Sequence, residues 1–191
     1  MSAASKARAT AETLIALGEQ PFEVIGGELM RKADPSAEHG DAQLGLGSLL
    51  RGPFHRRPGG PEGPGGWWLL SEVDIELTAH DVVRPDLSGW RRDRVLERPK
   101  GRPIRVRPDW LCEILSKSNA TTDLVDKLAV YWKAEVPHYW IVDPETETLT
   151  VHRWTRDGYL IALRESREAT VRAEPFEAIE LRVALLFGDD P

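Results

Sequence analysis

The sequence predicts an α/β domain, a mixed sheet flanked by helices, with the core order helix, three strands, helix, strand. Three observations predict it. WWLLSEVDIEL, DVVRPDLSGW, WLCEILS and YWIV are short segments of alternating or unbroken apolar residues and read as strands. Segments 36–50 and 122–133 carry apolar residues at helical spacing. Short links make the first strands antiparallel, whereas the strand after the second helix returns parallel by a right-handed crossover.

The elements follow in order. TAETLIALG, residues 10–18, reads as a short helix that Gly18 stops, which makes 1–20 an N-terminal helical extension. In PFEVIGGELMR, the Gly26-Gly27 pair between two short apolar-polar runs signals a hairpin. Ser36 caps a helix to about Leu50, with Ala42, Leu46, Leu49 and Leu50 toward the core. RGPFHRRPGGPEGPGG is dense in Pro and Gly, so 52–66 is expected to be a flexible surface loop. Strands 67–77 and 81–90 form a hairpin through TAH, and 91–107 is a basic loop. Strand 110–116 is apolar on both faces apart from Glu113, which marks a central position. An amphipathic helix over 122–133 turns Leu124, Leu128 and Tyr131 to one face. Strands at 139–142, 148–154 and 159–163 follow, the last two paired across Asp157-Gly158, and a helix over 179–186 closes the chain. With no repeat and no boundary, residues 1–191 are expected to form a single domain.

Composition limits the function classes. The one cysteine, Cys112, excludes an internal disulfide and a cysteine-rich zinc site. No apolar run approaches the ~20 residues of a membrane span, and the N-terminus reads without a secretory signal. No membrane partner is therefore expected, and the location is expected to be cytoplasmic. The net charge of −6 argues against adhesion to nucleic acid by the whole surface. The basic residues nevertheless cluster: Arg84, Arg91, Arg92, Arg94, Arg98, Lys100, Arg102, Arg105 and Arg107 are opposed only by Asp86, Asp93 and Glu97. Such a patch can track phosphates while the far side stays acidic. The competing reading is a solvated loop rich in arginine. Phosphate-cradle and nucleophile-elbow motifs are absent from the sequence.

The chemistry begins at Glu113. A carboxylate in the middle of WLCEILS is buried, so it needs a cation. Strand alternation puts Asp109 on the same face as Glu113 and Cys112 on the other. The competing reading is a buried ion pair with an arginine of the basic loop. Asp86 follows Pro85, which removes a ladder donor and ends or bulges the strand. There Asp86 can face Glu113 on the adjacent strand. Converging carboxylates repel unless a cation lies between them, and oxygen ligands suit Mg²⁺ or Mn²⁺. The competing reading of Asp86 is a turn cap. Two lysines could supply the accompanying positive charge. Lys127 lies on the following helix, where Asp123 is an alternative i,i+4 partner. Lys117 shares the strand face of Glu113 but lies beyond the strand end, and spacing does not choose between them. Glu28, after the Gly-Gly turn, joins the cluster only if its hairpin packs beside the sheet.

VVRPDLSGW and RPDWLCEILSKSNATTDLVDKLAVYWKAEVPHYWIVDP resemble the Uma-type restriction endonucleases, a family of the PD-(D/E)XK nuclease superfamily. The resemblance runs from about Phe22 to about Trp154. It implies a restriction-endonuclease-like fold and Mg²⁺-dependent hydrolysis of DNA phosphodiesters. Asp86 matches the first acidic position and Glu113 the second. The superfamily lysine would fall at Leu115, which cannot serve. In this family it has moved to the following helix, which points to Lys127. Asp109 and Glu28 match further acidic positions. Lys117 stands where the family has proline and so remains a rival lysine. Glu135 stands where the family has a helix-ending glycine.

The resulting expectation is a DNA endonuclease with Asp86 and Glu113 as ligands of Mg²⁺ or Mn²⁺. Asp109 assists, Lys127 supports the nucleophile, and Glu28 and Lys117 are secondary candidates. Arg91, Arg92, Arg94, Arg98, Lys100 and Arg102 are expected to face DNA. A homodimer would supply the two sites that cutting a duplex requires. Two other readings stay open: a non-catalytic nucleic-acid-binding or assembly module that keeps the fold, and a nuclease acting on RNA or branched DNA.

Overall fold

A computed structural model describes residues 7–116 and 122–190. Helix α1 (Ala11–Ala16) precedes the hairpin of β1 (Phe22–Ile25) and β2 (Glu28–Arg31). Gly18 has φ +72°, and Gly26 and Gly27 lie at φ +61° and +85°. These left-handed conformations cost glycine little, which explains both the helix stop and the two-residue turn.

Helix α2 (Ala37–Phe54) is capped by Ser36, whose side chain accepts from the His39 amide. It runs past the expected end near Leu50, through Gly52 and Pro53 and into the expected loop. Packing overrides propensity here. The buried Phe54 ring lies 4.7 Å from that of Phe176, and each is part of the core between α2 and the sheet. The Gly/Pro segment then folds back, with Gly65 donating to the Pro53 carbonyl and Gly66 to that of Arg56.

The predicted strands 67–77 and 81–90 each divide in two. β3 (Trp67–Ser71) and β6 (Leu87–Arg91) pair in a six-stranded sheet with β7 (Trp110–Ile114), β8 (His138–Asp143), β9 (Thr148–Thr155) and β10 (Gly158–Ser166), in the order β10-β9-β8-β7-β6-β3. β4 (Ile75–Thr78) and β5 (Asp81–Val83) pair in a four-stranded sheet of order β2-β1-β5-β4. One long hairpin is thus bent at 72–74 and 84–86. The Glu72 amide still donates to the Asp86 carbonyl across the bend. Glu72 lies at φ +52°, and Pro85 lacks the N–H that would extend the ladder. The apolar alternation runs through the bend, so pattern alone reads each arm as one strand.

β7 (Trp110–Ile114) is buried throughout. It pairs antiparallel with β6 and parallel with β8 (His138–Asp143), as short links and one crossover require. The crossover is a π-helical segment (Thr122–Lys127) leading into α3 (Leu128–Lys133). The wider π turn shifts the helical register, and Leu124, expected in the core, is 43% exposed. Glu135, after the end of α3, has φ +55°, a conformation that glycine adopts without a Cβ penalty.

β9 (Thr148–Thr155) and β10 (Gly158–Ser166) complete the large sheet. The expected closing helix is instead a short strand and one 3₁₀ turn. β11 (Thr170–Val171) pairs with β12 (Leu181–Arg182), and the turn spans Val183–Leu186. Pairing with β11 holds 181–182 extended and lets Leu181, Val183 and Leu186 reach the core.

The two faces of the large sheet have different cores. Trp110, Cys112 and Ile114 pack with α2, Trp140 and Phe176. Leu111 faces the other way, with Tyr131, Tyr139 and Ile141. Alternation therefore directs Glu113 to the α3 side, opposite Cys112, as the sequence predicts. Among the described residues no helix is long and apolar enough to cross a membrane.

Candidate active site

The bend in the long hairpin brings Asp86 to the C-terminal end of β7. Asp86 Oδ2 accepts the Ile114 amide at 2.6 Å, so the first acidic residue is fastened to the strand that carries the second. Its other contacts are Lys32 Nζ, 2.8 Å from Oδ1, and His39 Nε2, 3.2 Å from Oδ2. Because the carboxylate accepts, Nε2 of His39 carries the proton. Burial works to raise the Asp86 pKa. The His39 hydrogen bond and the Lys32 charge outweigh it and hold the carboxyl well below its ordinary range.

Glu113 is reached from the crossover. Its Oε1 accepts from the Tyr131 hydroxyl at 2.5 Å and from Lys127 Nζ at 3.1 Å. Lys127 ends the π-helical segment, one turn before Tyr131, so both side chains descend on the same carboxylate. Burial, then the charges of Glu113 and Glu23, push the Tyr131 pKa well up, which keeps its hydroxyl a donor. Lys127 Nζ also lies 2.9 Å from Glu23 Oε2, and Glu23 Oε1 accepts the Arg84 amide at 2.6 Å. The four groups are shut away from solvent: Asp86, Glu113 and Lys127 are each 1% exposed and Glu23 is 2% exposed.

Lys32 closes the other side. Its Nζ donates to Glu72 at 2.7 Å and to the Arg84 carbonyl at 2.9 Å as well as to Asp86. Burial works to lower its pKa, but Asp86, Glu113 and Glu72 together raise it above the ordinary lysine value. Lys32, His39, Asp86, Glu113 and Lys127 line one narrow pocket. Among the described residues, Lys32 pairs with Glu72 and Asp86, and Lys127 pairs with Glu23 and Glu113.

The structure brings Asp86, Glu113 and Lys127 together and leaves other sequence candidates elsewhere. Asp109 precedes β7 and shares the face parity of Glu113. Four residues of strand separate the two by about 13 Å. Asp109 accepts from the Arg91 amide and from Arg94 at 2.7–3.0 Å, which ties it to the basic loop. Glu28 is exposed on β2, and Glu23, on the partner strand, occupies the cluster instead. Lys117 lies outside the described residues. Lys32, His39 and Glu23 are site residues that the sequence reading missed. Only His39 carried a signal, since it precedes Ala42 and Leu46 on the buried stripe of α2.

The basic loop is largely neutralised. Arg91 pairs with Asp93, Arg94 with Asp109, Arg102 and Arg84 with Asp74, and Arg105 with Glu76. Arg91, Arg94 and Arg102, expected to face DNA, are thus engaged in ion pairs. The guanidinium carbon of Arg92 lies over the Trp68 ring, 3.5 Å from its centroid. Arg98 and Lys100 have no ion pair among the described residues, and with Arg57 and Arg92 they rim an open concavity of about 470 Å³.

Among the described residues no three His, Cys, Asp or Glu side chains gather to hold a metal. Asp86 and Glu113 are two hard oxygen donors that line one pocket. That fits Mg²⁺, which is commonly held by one or two carboxylates and completes its shell with water and phosphate oxygens.

Comparison with solved structures finds a "putative nuclease belonging to DUF820 from Anabaena variabilis ATCC 29413". It is 21% identical, with a TM-score of 0.68 over 93% of this chain and 97% of that chain. This likeness supports the predicted restriction-endonuclease-like mixed sheet, and fold alone does not settle chemistry. Comparison with curated proteins returns no match. A family model matches residues 11–184, a span that includes β1, the bent hairpin, β7 and the crossover carrying Lys127. The chain belongs to the family described as "Uma2: Putative restriction endonuclease".

Proposed function

We propose that the protein is a metal-dependent endonuclease that hydrolyses DNA phosphodiester bonds, with Asp86 and Glu113 holding Mg²⁺ or Mn²⁺. One observation carries this reading: carboxylates from two neighbouring strands, Asp86 and Glu113, line one buried pocket. Family membership supports it. A bound divalent ion would polarise a phosphoryl oxygen and acidify the attacking water. The chain's own residues prepare the place. The Ile114 amide and His39 fix the orientation of Asp86. Tyr131 and Lys127 fix Glu113, and Lys127 adds positive charge beside the position of the phosphoryl group. Glu23 holds Lys127 in place. Two copies of the chain would supply one site for each strand of a duplex.

The direct test is nicking and linearisation of supercoiled DNA with Mg²⁺, with Mn²⁺ and with a chelator. Cutting that depends on the ion is expected. A second reading, a module that keeps the fold without turnover, is favoured by the two lysines already seated on the carboxylates. Absence of cutting with either ion on duplex, single-stranded and branched DNA would favour that module. Cutting of RNA in place of DNA would revise the substrate and leave the site assignment standing.

Arg98 and Lys100 are the proposed phosphate contacts, with Arg92 and Arg57 beside them. In an inactive Glu113→Gln background, Arg98→Ala with Lys100→Ala should weaken DNA binding. It should also lower the slope of log affinity against log salt by about 2, roughly 0.9 per phosphate contact. An unchanged slope would move the DNA to another face.

A further inference from the structure

The metal reading gives Lys127 a part and leaves Lys32 without one. Lys32 follows β2, where the chain leaves the small sheet for α2. Its ammonium touches three oxygens: Glu72 Oε2 at 2.7 Å, Asp86 Oδ1 at 2.8 Å and the Arg84 carbonyl at 2.9 Å. Two carboxylates and a carbonyl around one cation are the hard-oxygen surroundings that a divalent ion also takes. Two of the three groups have other partners as well: the Ile114 amide and His39 hold Asp86 through Oδ2. Gln43 of α2 donates to Glu72 Oε1 at 3.2 Å and to the Asp86 carbonyl at 3.0 Å. The bend at Glu72, with φ +52°, fixes the same stretch of backbone. Lys32 also lines the pocket shared by Asp86, Glu113 and Lys127.

We propose that Lys32 is a tethered resident cation that compensates Asp86 in the metal-free protein and must be displaced, or tolerated at close range, by an incoming divalent ion. The proposal rests on the metal reading above and adds to it a residue that sets the affinity. An ammonium on one oxygen of a carboxylate repels a dication on the same carboxylate, and in a buried pocket that repulsion is poorly screened. If Lys32 swings away instead, its three hydrogen bonds are lost. Either route weakens metal binding. Lys32 is therefore a positioning residue with a measurable cost to metal affinity, which a purely structural lysine would not have.

Calorimetric titration with Mn²⁺ alone, on the full chain, tests this. Lys32→Met removes the charge and keeps the length. Lys32→Gln removes the charge and keeps a donor for Glu72, in case the first variant folds poorly. Thermal melts with and without Mn²⁺ accompany each titration. The variants should melt lower than the parent without metal, bind Mn²⁺ about tenfold more tightly or better, and gain more melting temperature from it. Adding Asp86→Asn to Lys32→Met should abolish the gain. If the parent binds Mn²⁺ and both variants bind it equally or more weakly, Lys32 does not compete and the metal reading survives. Tightened binding that persists without the Asp86 carboxylate would also overturn the role of Lys32. No binding by parent or variants would overturn this proposal and the metal reading together.

Discussion

Glu113→Gln should lower the rate of DNA nicking about 10³-fold or more while the protein stays folded. The amide keeps the shape of the carboxylate and an oxygen for the Tyr131 hydroxyl. Lys127 loses one anion but retains Glu23. What disappears is the negative charge that makes the pocket attractive to a divalent ion. Lewis-acid stabilisation of phosphoryl transfer contributes several kcal/mol, and each 1.36 kcal/mol is about tenfold in rate. Asp86→Asn should lower activity similarly but is a less clean test. Its amide would turn a donor toward either Lys32 or the Ile114 N–H, so stability would fall as well. Comparable nicking by parent and Glu113→Gln, with unchanged circular dichroism, would remove Glu113 from the chemistry.

Lys127→Met should cost about 3–5 kcal/mol of folding stability, measured by urea denaturation. The ammonium is the bridge between Glu23 and Glu113, and all three groups are cut off from solvent. Removing one partner of a buried pair leaves charge without compensation, which is far more costly than the pair itself is stabilising. Adding Glu23→Gln should recover part of the loss, because one stranded carboxylate is then neutral. The two changes must therefore be non-additive. A loss below about 1 kcal/mol would mean that water reaches these carboxylates.

The sequence makes the two principal carboxylates legible for different reasons. Glu113 is conspicuous because it interrupts an otherwise apolar central strand. Asp86 is conspicuous because proline breaks the strand just before it. Neither signal depends on distant contacts. Glu23 and Lys32 give no such signal. In PFEVIGG, alternation opposes Glu23 to Phe22 and Val24, so it reads as a solvent-facing residue. Only the packing of β1 against β5 places Arg84 above it. Lys32 sits among turn residues, and its partners Glu72 and Asp86 are 40 and 54 residues away.

Asp109 shows a different limit. A period of two identifies the face of a strand, not the distance along it, and Asp109 lies at the far end from Glu113. The ion pairs of the basic loop could not be counted from the loop itself. Of the acidic partners that neutralise it, Asp74, Glu76 and Asp109 lie outside the 84–107 window. Lys127 lines the pocket, and its rival Lys117 lies outside the described residues.

Under the proposed function Asp86 and Glu113 hold one divalent ion between them. Crystals soaked in Mn²⁺ and measured at the manganese absorption edge test it most directly. An anomalous peak about 2.1 Å from a carboxylate oxygen of each residue is the predicted result. A peak at other carboxylates only, with Asp86 still on Lys32 and Glu113 still on Lys127, would contradict it.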